Sequence, residues 1–196
     1  MRLIVPLAIL VAVFALIFGW LTFTGMSART APGSIEAYLG RTIQRLSIPT
    51  AARSAKNPMD ASPDLLVEGR RHFADHCASC HANDGSGKAD LGQNLYPRAP
   101  DMRLVETQNL TDGELYYIIQ NGIRFTGMPA WGAAGPNDHE TWHLVLFLRH
   151  LPHLTAEDLA DMKDHNPRSP AEIEEEQQEE EFLNAQPDSN TNSKQH

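Results

Sequence analysis

The sequence predicts an all-α protein, a small helical domain preceded by an N-terminal transmembrane helix. Three observations predict it. Apolar residues recur at helical spacing in several stretches, and none alternates apolar with polar residues as a strand would. Leu3 to Phe23 is an almost unbroken apolar run. The pentapeptide Cys77-Ala78-Ser79-Cys80-His81 holds the two cysteines of the 196-residue chain.

The elements follow in order. At ~1.5 Å per residue the apolar run spans roughly 30 Å, the thickness of a bilayer core. A signal-peptide apolar region is shorter, about 7–15 residues, and Gly25-Met26-Ser27-Ala28 is no clean cleavage site. Residues 1–26 are therefore expected to be a retained anchor or uncleaved signal. Ser34 is expected to cap a helix reaching about Leu46, with Ile35, Tyr38, Leu39, Ile43 and Leu46 on one face. Pro49, Pro58 and Pro63 then mark a linker. Residues 27–63 thus read as an amphipathic helix and a Pro-rich linker.

The globular domain is expected over residues 64–163. A helix from Asp64 to about His76 leads into the pentapeptide, and Asn83 to Arg103, rich in Gly and Pro, is a loop. Thr111 and Glu114 form a capping box for a helix that stops at Gly122. A second loop, Ile123 to Asn137, precedes a helix from Asp138 to Leu151, which Pro152 ends. Thr155 to Lys163 is a last helical piece. Glu172 to Glu181 holds seven glutamates, a run that reads as a solvated, disordered tail or a frayed helix, and residues 164–196 are taken as an acidic disordered tail. With a net charge of −9, no nucleic-acid partner is expected.

C-x-x-C-H is the attachment signature of c-type haem. Cys77 and Cys80 are spaced to add to the two vinyl groups of one ring, and His81 then offers an imidazole to the iron. One covalently bound haem c is the expected cofactor. A Cys₄ zinc site lacks a second cysteine pair, and His139 and His143 lie far downstream at a spacing that fits a finger poorly. A thioredoxin-like pair lacks β-α-β patterning. With both thiols consumed, no disulfide is expected. Electron-transfer haems commonly take methionine as second axial ligand. Met128 in Gly127-Met128-Pro129-Ala130-Trp131 is the leading candidate, and Met102 in Pro100-Asp101-Met102 is the rival. Met1, Met26, Met59 and Met162 fall in the anchor region, the linker or a late helix.

Three further patterns share this order: Gly69-x-x-x-Phe73-x-x-x-Cys77, Gly127-Met128-Pro129 and Leu144-x-x-Phe147-Leu148. On these the stretch Asp64 to Leu154 resembles a class I monohaem cytochrome c of the membrane-anchored bacterial type. The resemblance implies a cytochrome c-like helical domain wrapped around the haem, with His81 and Met128 as axial ligands. It implies a last helix that crosses the first at Gly69 and packs Phe147 or Leu144 on Phe73. It also implies a proline carbonyl, from Pro97 or Pro100, that accepts from the ligand histidine. Trp131 and Trp142 wall the ring or fill the core. Arg124 meets a propionate or is a solvated surface residue. A bis-histidine site would draw on His72, His76, His139, His143, His150 or His153, and ranks behind Met128.

With both axial positions filled, the expected function is electron transfer rather than catalysis. The protein would be a carrier or an electron-transfer subunit in a respiratory or photosynthetic chain. The alternative is a haem sensor or haem enzyme with a labile sixth ligand. The expected partners are the lipid bilayer and redox proteins or respiratory-complex subunits. Haem attachment of this type takes place outside the bacterial inner membrane, which puts the haem domain in the periplasm on a single-pass anchor.

Overall fold

The computed structural model describes residues 4–25, 27–132, 138–168 and 170–185. Every regular element among them is helical. The expectations for Met1, Met26, residues 133–137 and residues 186–196 lie outside the described residues. Helix α1, Ile4–Thr24, is the apolar run; none of its residues is buried, and it is long and apolar enough to cross a membrane. Helix α2, Ser34–Ser47, starts one residue earlier than predicted, with Gly33 as the cap and Ser34 already helical.

The domain is built on two crossing helices. Helix α4, Pro63–His72, is capped by the Ser62 hydroxyl, which accepts from the Leu65 N–H, and Pro63 stands where no N–H is missed. Helix α9, His139–His150, is capped by Asp138. The two meet at Gly69, where a Cβ would stand 2.4 Å from the His143 carbonyl oxygen and 3.0 Å from Phe147 Cβ. That approach brings the rings of Phe73 and Phe147 to 5.2 Å, both fully buried. Each such side chain contributes about 1.5–3 kcal/mol by leaving water.

Helix α8, Asp112–Asn121, packs beside α9. Its start is the predicted capping box: Thr111 accepts from Glu114 N–H while the Glu114 carboxylate accepts from Thr111 N–H. Gly122 ends it at φ +66°, a left-handed backbone that favours glycine. Tyr116 of α8 stacks on Trp142 of α9 with centroids 4.1 Å apart, so Trp142 is core. Arg149 locks the same pair of helices, donating to the Gln108 and Leu110 carbonyls and to Asp112. Helix α10, Ala156–Asp164, closes the back of α4 by burying Met162 and by pairing Asp158 and Asp161 with Arg70.

Two segments differ from expectation. The Pro-rich stretch is docked on the domain. It contains helix α3, Thr50–Ser54, whose end lies against α8: a Cβ on Gly113 would come within 1.9 Å of the Ala52 oxygen. Asn57 donates to the Trp142 carbonyl, and Ile48 is buried. Small alanines and a facing glycine permit this contact, and neither produces hydrophobic periodicity. The acidic stretch, expected as a disordered tail or a frayed helix, is helical over Pro170–Ala185, here α11. Glutamate is a strong helix former, Pro170 sits at the start, and Glu172 faces the positive end of the helix dipole. The remaining helices are short: α5, Ala78–His81, α6, Asp90–Gln93, and α7, Val105–Gln108.

Gly69→Ala is expected to lower the unfolding free energy of the haem-loaded protein by about 1–3 kcal/mol through overpacking. Guanidinium unfolding followed by helical circular dichroism measures it, and an unchanged midpoint would contradict the close crossing of α4 and α9.

Candidate haem site

The pentapeptide sits where α4 changes pitch. Phe73–Cys77 forms one π-helical turn, in which the Ala78 N–H reaches the Phe73 carbonyl five residues back, and α5, Ala78–His81, continues from it. Such a turn carries an extra residue and marks many functional sites. Its effect is rotational. Phe73 and Ala74 stay in the core, whereas Cys77, Cys80 and His81 are only half-buried. Ala82, at φ +59°, then ends the helix.

The following loop is lashed to this helix end by its backbone. The Gly87 N–H donates to the His81 carbonyl at 2.8 Å, and the Met102 N–H to Gly85 at 2.8 Å. Helix α6, Asp90–Gln93, presses on α5 so closely that a Cβ on Gly92 would stand 1.9 Å from the Cys80 oxygen. Arg103 ties the two ends of the loop. It donates to Asp101 at 2.7 Å and to Asp84 at 2.9 Å. The Arg103 hydrogen bonds hold the Asp101 carboxyl below its ordinary pKa. Burial works against the Asp84 carboxylate, but Ser86 and Arg103 outweigh it, and that pKa also falls.

This lashing sets the surroundings of His81. Burial lowers the imidazole pKa, and the Pro100 carbonyl opposes the shift. Pro100, not Pro97, is therefore the proline that faces the ring. The imidazole Nδ1 is a buried atom with no hydrogen-bond partner among the described residues. The Cys77 thiol is pushed up to about 12 by burial, by Cys80 and by Asp75. Both cysteines are free. Among the described residues no group of three His, Cys, Asp or Glu side chains is arranged to hold a metal ion.

Met128 stands on a different segment, the loop after α8. The loop is fixed at its own ends. The Ile123 N–H donates to the Met128 carbonyl at 3.0 Å, the Met128 N–H to Thr126 Oγ1 at 3.1 Å, and the Trp131 N–H to Ile119 at 3.0 Å. It also touches both flanks of the pentapeptide region. Gly127 lies under Leu95, whose side chain would clash with a Cβ there at 2.6 Å, and the Trp131 ring meets His76 edge-on at 5.4 Å. The loop bearing Met128 is thus held between the segment after His81 and the helix before Cys77.

The rival ligands have other surroundings. Met102 and Met162 are buried in the core, and Met59 packs against it. His143 pairs with Glu68 at 3.2 Å. Rings of His72 and His76 lie 4.9 Å apart, and burial together with His76 lowers the His72 pKa. His139 and Arg124 are exposed. The Arg103 cluster was missed in the sequence, although Asp84-Gly-Ser86 and Asp101-Met-Arg103 are turn-like signals.

The residues fit a c-type haem: two free cysteines at C-x-x-C spacing, an imidazole directly after them, and a methionine on a clamped loop. Residues 64–148 match the family model described as cytochrome c oxidase, cbb3-type, subunit III. This is a cytochrome c-like domain. Its role is haem-based electron transfer. No curated protein shows a significant match to the chain. The cytochrome c match ends inside α9, short of α10, α11 and everything before Asp64.

Arg103→Gln is expected to lower stability by about 1 kcal/mol at pH 7. Asp84 and Asp101 titrate lower in the folded state than unfolded. Their contribution is therefore complete above the unfolded carboxylate range near pH 4 and is lost as pH falls through the folded values. Urea unfolding at pH 7 and at about pH 3 should show the variant and parent converging in acid. An equal gap at both pH values would rule out the carboxylates as the cause.

Proposed function

We propose that this protein is a membrane-anchored electron carrier or electron-transfer subunit with one c-type haem. In this reading Cys77 and Cys80 hold the haem covalently, and His81 and Met128 are its axial ligands. When bound, the haem supplies a one-electron Fe(III)/Fe(II) couple. The chain's part is to hold the couple low-spin and closed. The Pro100 carbonyl orients His81, and the loop clamped by Leu95 and Trp131 presents Met128. The observation that carries the reading is that clamp, together with the C-x-x-C-H turn it straddles.

The organisation follows the same proposal: residues 1–26 as anchor, 27–63 as a connecting region, 64–163 as the haem domain and 164–196 as an acidic extension. Helix α1 is one candidate span, and covalent haem attachment places the domain on the periplasmic face of a bacterial inner membrane. The matched family is described as a subunit of a cytochrome oxidase, which supports association with respiratory-complex subunits.

Met128→Ala is expected to abolish the near-infrared sulfur-to-iron band of the ferric protein, to lower its potential and to open the ferrous protein to carbon monoxide. Met102→Leu should leave all three unchanged. A band that survives in Met128→Ala would reject this ligand set. Rapid carbon monoxide binding by the native ferrous protein would favour a haem sensor or enzyme with a labile sixth ligand.

Acidified acetone should leave the haem on the parent polypeptide. It should extract the haem completely from a Cys77→Ser, Cys80→Ser double variant. Extraction from the parent would contradict thioether attachment.

A further inference from the structure

We infer that α2 lies in the headgroup layer of the membrane, with its apolar stripe in lipid and its opposite face carrying the haem domain. The inference rests on the membrane-anchored reading above and goes beyond it, from a tether to a fixed mount.

Amphipathic helices normally turn their apolar face to the protein. Helix α2 does the reverse. Ile35, Tyr38, Leu39, Ile43 and Leu46 are between 50% and 77% exposed. Ala37, Thr42 and Gln44 are half-buried, and Ile48, just past the end of the helix, is the one fully buried residue of this stretch. Two contacts on its flanks hold this orientation. Glu36 accepts a hydrogen bond from Tyr96 Oη, on the loop that carries Pro100, and the Arg45 carbonyl accepts from the Arg53 guanidinium. The apolar stripe is thereby turned away from the domain.

Three observations identify lipid as what covers it. The first is position. Only residues 25–33 separate α1 from α2, a reach of at most ~30 Å. The first turns of α2, around Ile35 and Leu39, share an apolar cleft with Ile17 and Trp20 near the end of α1. Tryptophan at the end of a span is the residue of the membrane interface. The second is charge. The chain carries −9 overall, yet residues 27–59 hold Arg29, Arg41, Arg45, Arg53 and Lys56 against one acid, Glu36. A locally basic, strongly amphipathic helix matches anionic headgroups. The third is attachment. Ile48 and α3 are packed on the domain, so α2 cannot swing its stripe inward without breaking that contact.

The test uses the full haem-loaded chain in vesicles of phosphatidylcholine and phosphatidylglycerol. A benzophenone amino acid is placed singly at Phe14, Leu39, Ile43 or Gln44, and haem absorbance confirms folding of each variant. Photolysis should give lipid adducts at Phe14, Leu39 and Ile43, and several-fold fewer at Gln44. The same pattern is expected in native membranes. Adducts at Phe14 without any at Leu39 or Ile43 would overturn the mount and leave the anchor standing. Absence at all positions would overturn the anchor as well. Equal labelling at Gln44, or cross-links from Ile43 to a protein or a second copy, would overturn lipid as the occupant.

Discussion

A Cβ at position 69 would stand 2.4 Å from the His143 carbonyl, so α4 and α9 cross with backbone against backbone. Much else in the domain is placed by this contact. It brings Phe73 and Phe147 together and seats Trp142 against Tyr116. It also determines where α4 must stop behaving as an ordinary helix. Residues that follow Phe73 in regular register would keep pointing at α9. The π-helical turn ends that register, and Cys77, Cys80 and His81 come out half-buried at the edge of the core. Core packing and cofactor presentation are thus two faces of one helix, separated by a single wide turn.

The loops can be long because they are held by backbone. A 20-residue loop inside a small domain is unusual unless function or internal bonding orders it. Here Gly87 donates to the His81 carbonyl at the helix end, Met102 donates to Gly85 within the loop, α6 presses its Gly92 on Cys80, and Arg103 joins Asp84 to Asp101. The glycines matter as approach distances more than as flexible points. Gly92, Gly113 and Gly127 each sit where another segment occupies the space of a side chain. The Met128 loop inherits its position from these contacts, through Leu95 on one side and His76 on the other.

Locally determined features were legible in the sequence. The capping box at Thr111 and the stop at Gly122 depend on a few neighbouring residues of known preference, while the crossing at Gly69 was implied by the family resemblance. The pentapeptide was legible as a short motif. Features that depend on which surfaces meet were not. An Ala-rich segment gives no sign that Gly113 will receive it. Two prolines, Pro97 and Pro100, were equivalent until the loop path placed one carbonyl against His81. Charge left both a disordered tail and a frayed helix open for the glutamate run, and Pro170–Ala185 is helical, as the propensity of glutamate allows.

Helix amphipathicity is the most instructive case, because period and partner are separate facts. The spacing of Ile35, Leu39, Ile43 and Leu46 fixes that one face is apolar, and says nothing of what that face meets. The structure ties the helix to its surroundings through Glu36, the Arg45 carbonyl and the buried Ile48, and leaves the apolar residues exposed. A flexible tether would raise encounter frequency by confinement alone and leave orientation free. A helix fixed at Ile48 and α3, and bonded to the Tyr96 loop, instead carries orientation to the loop that faces His81. Electron transfer needs one edge of a site presented to a partner. A mount that restricts rotation favours a partner embedded in the same membrane over one that diffuses in from the bulk.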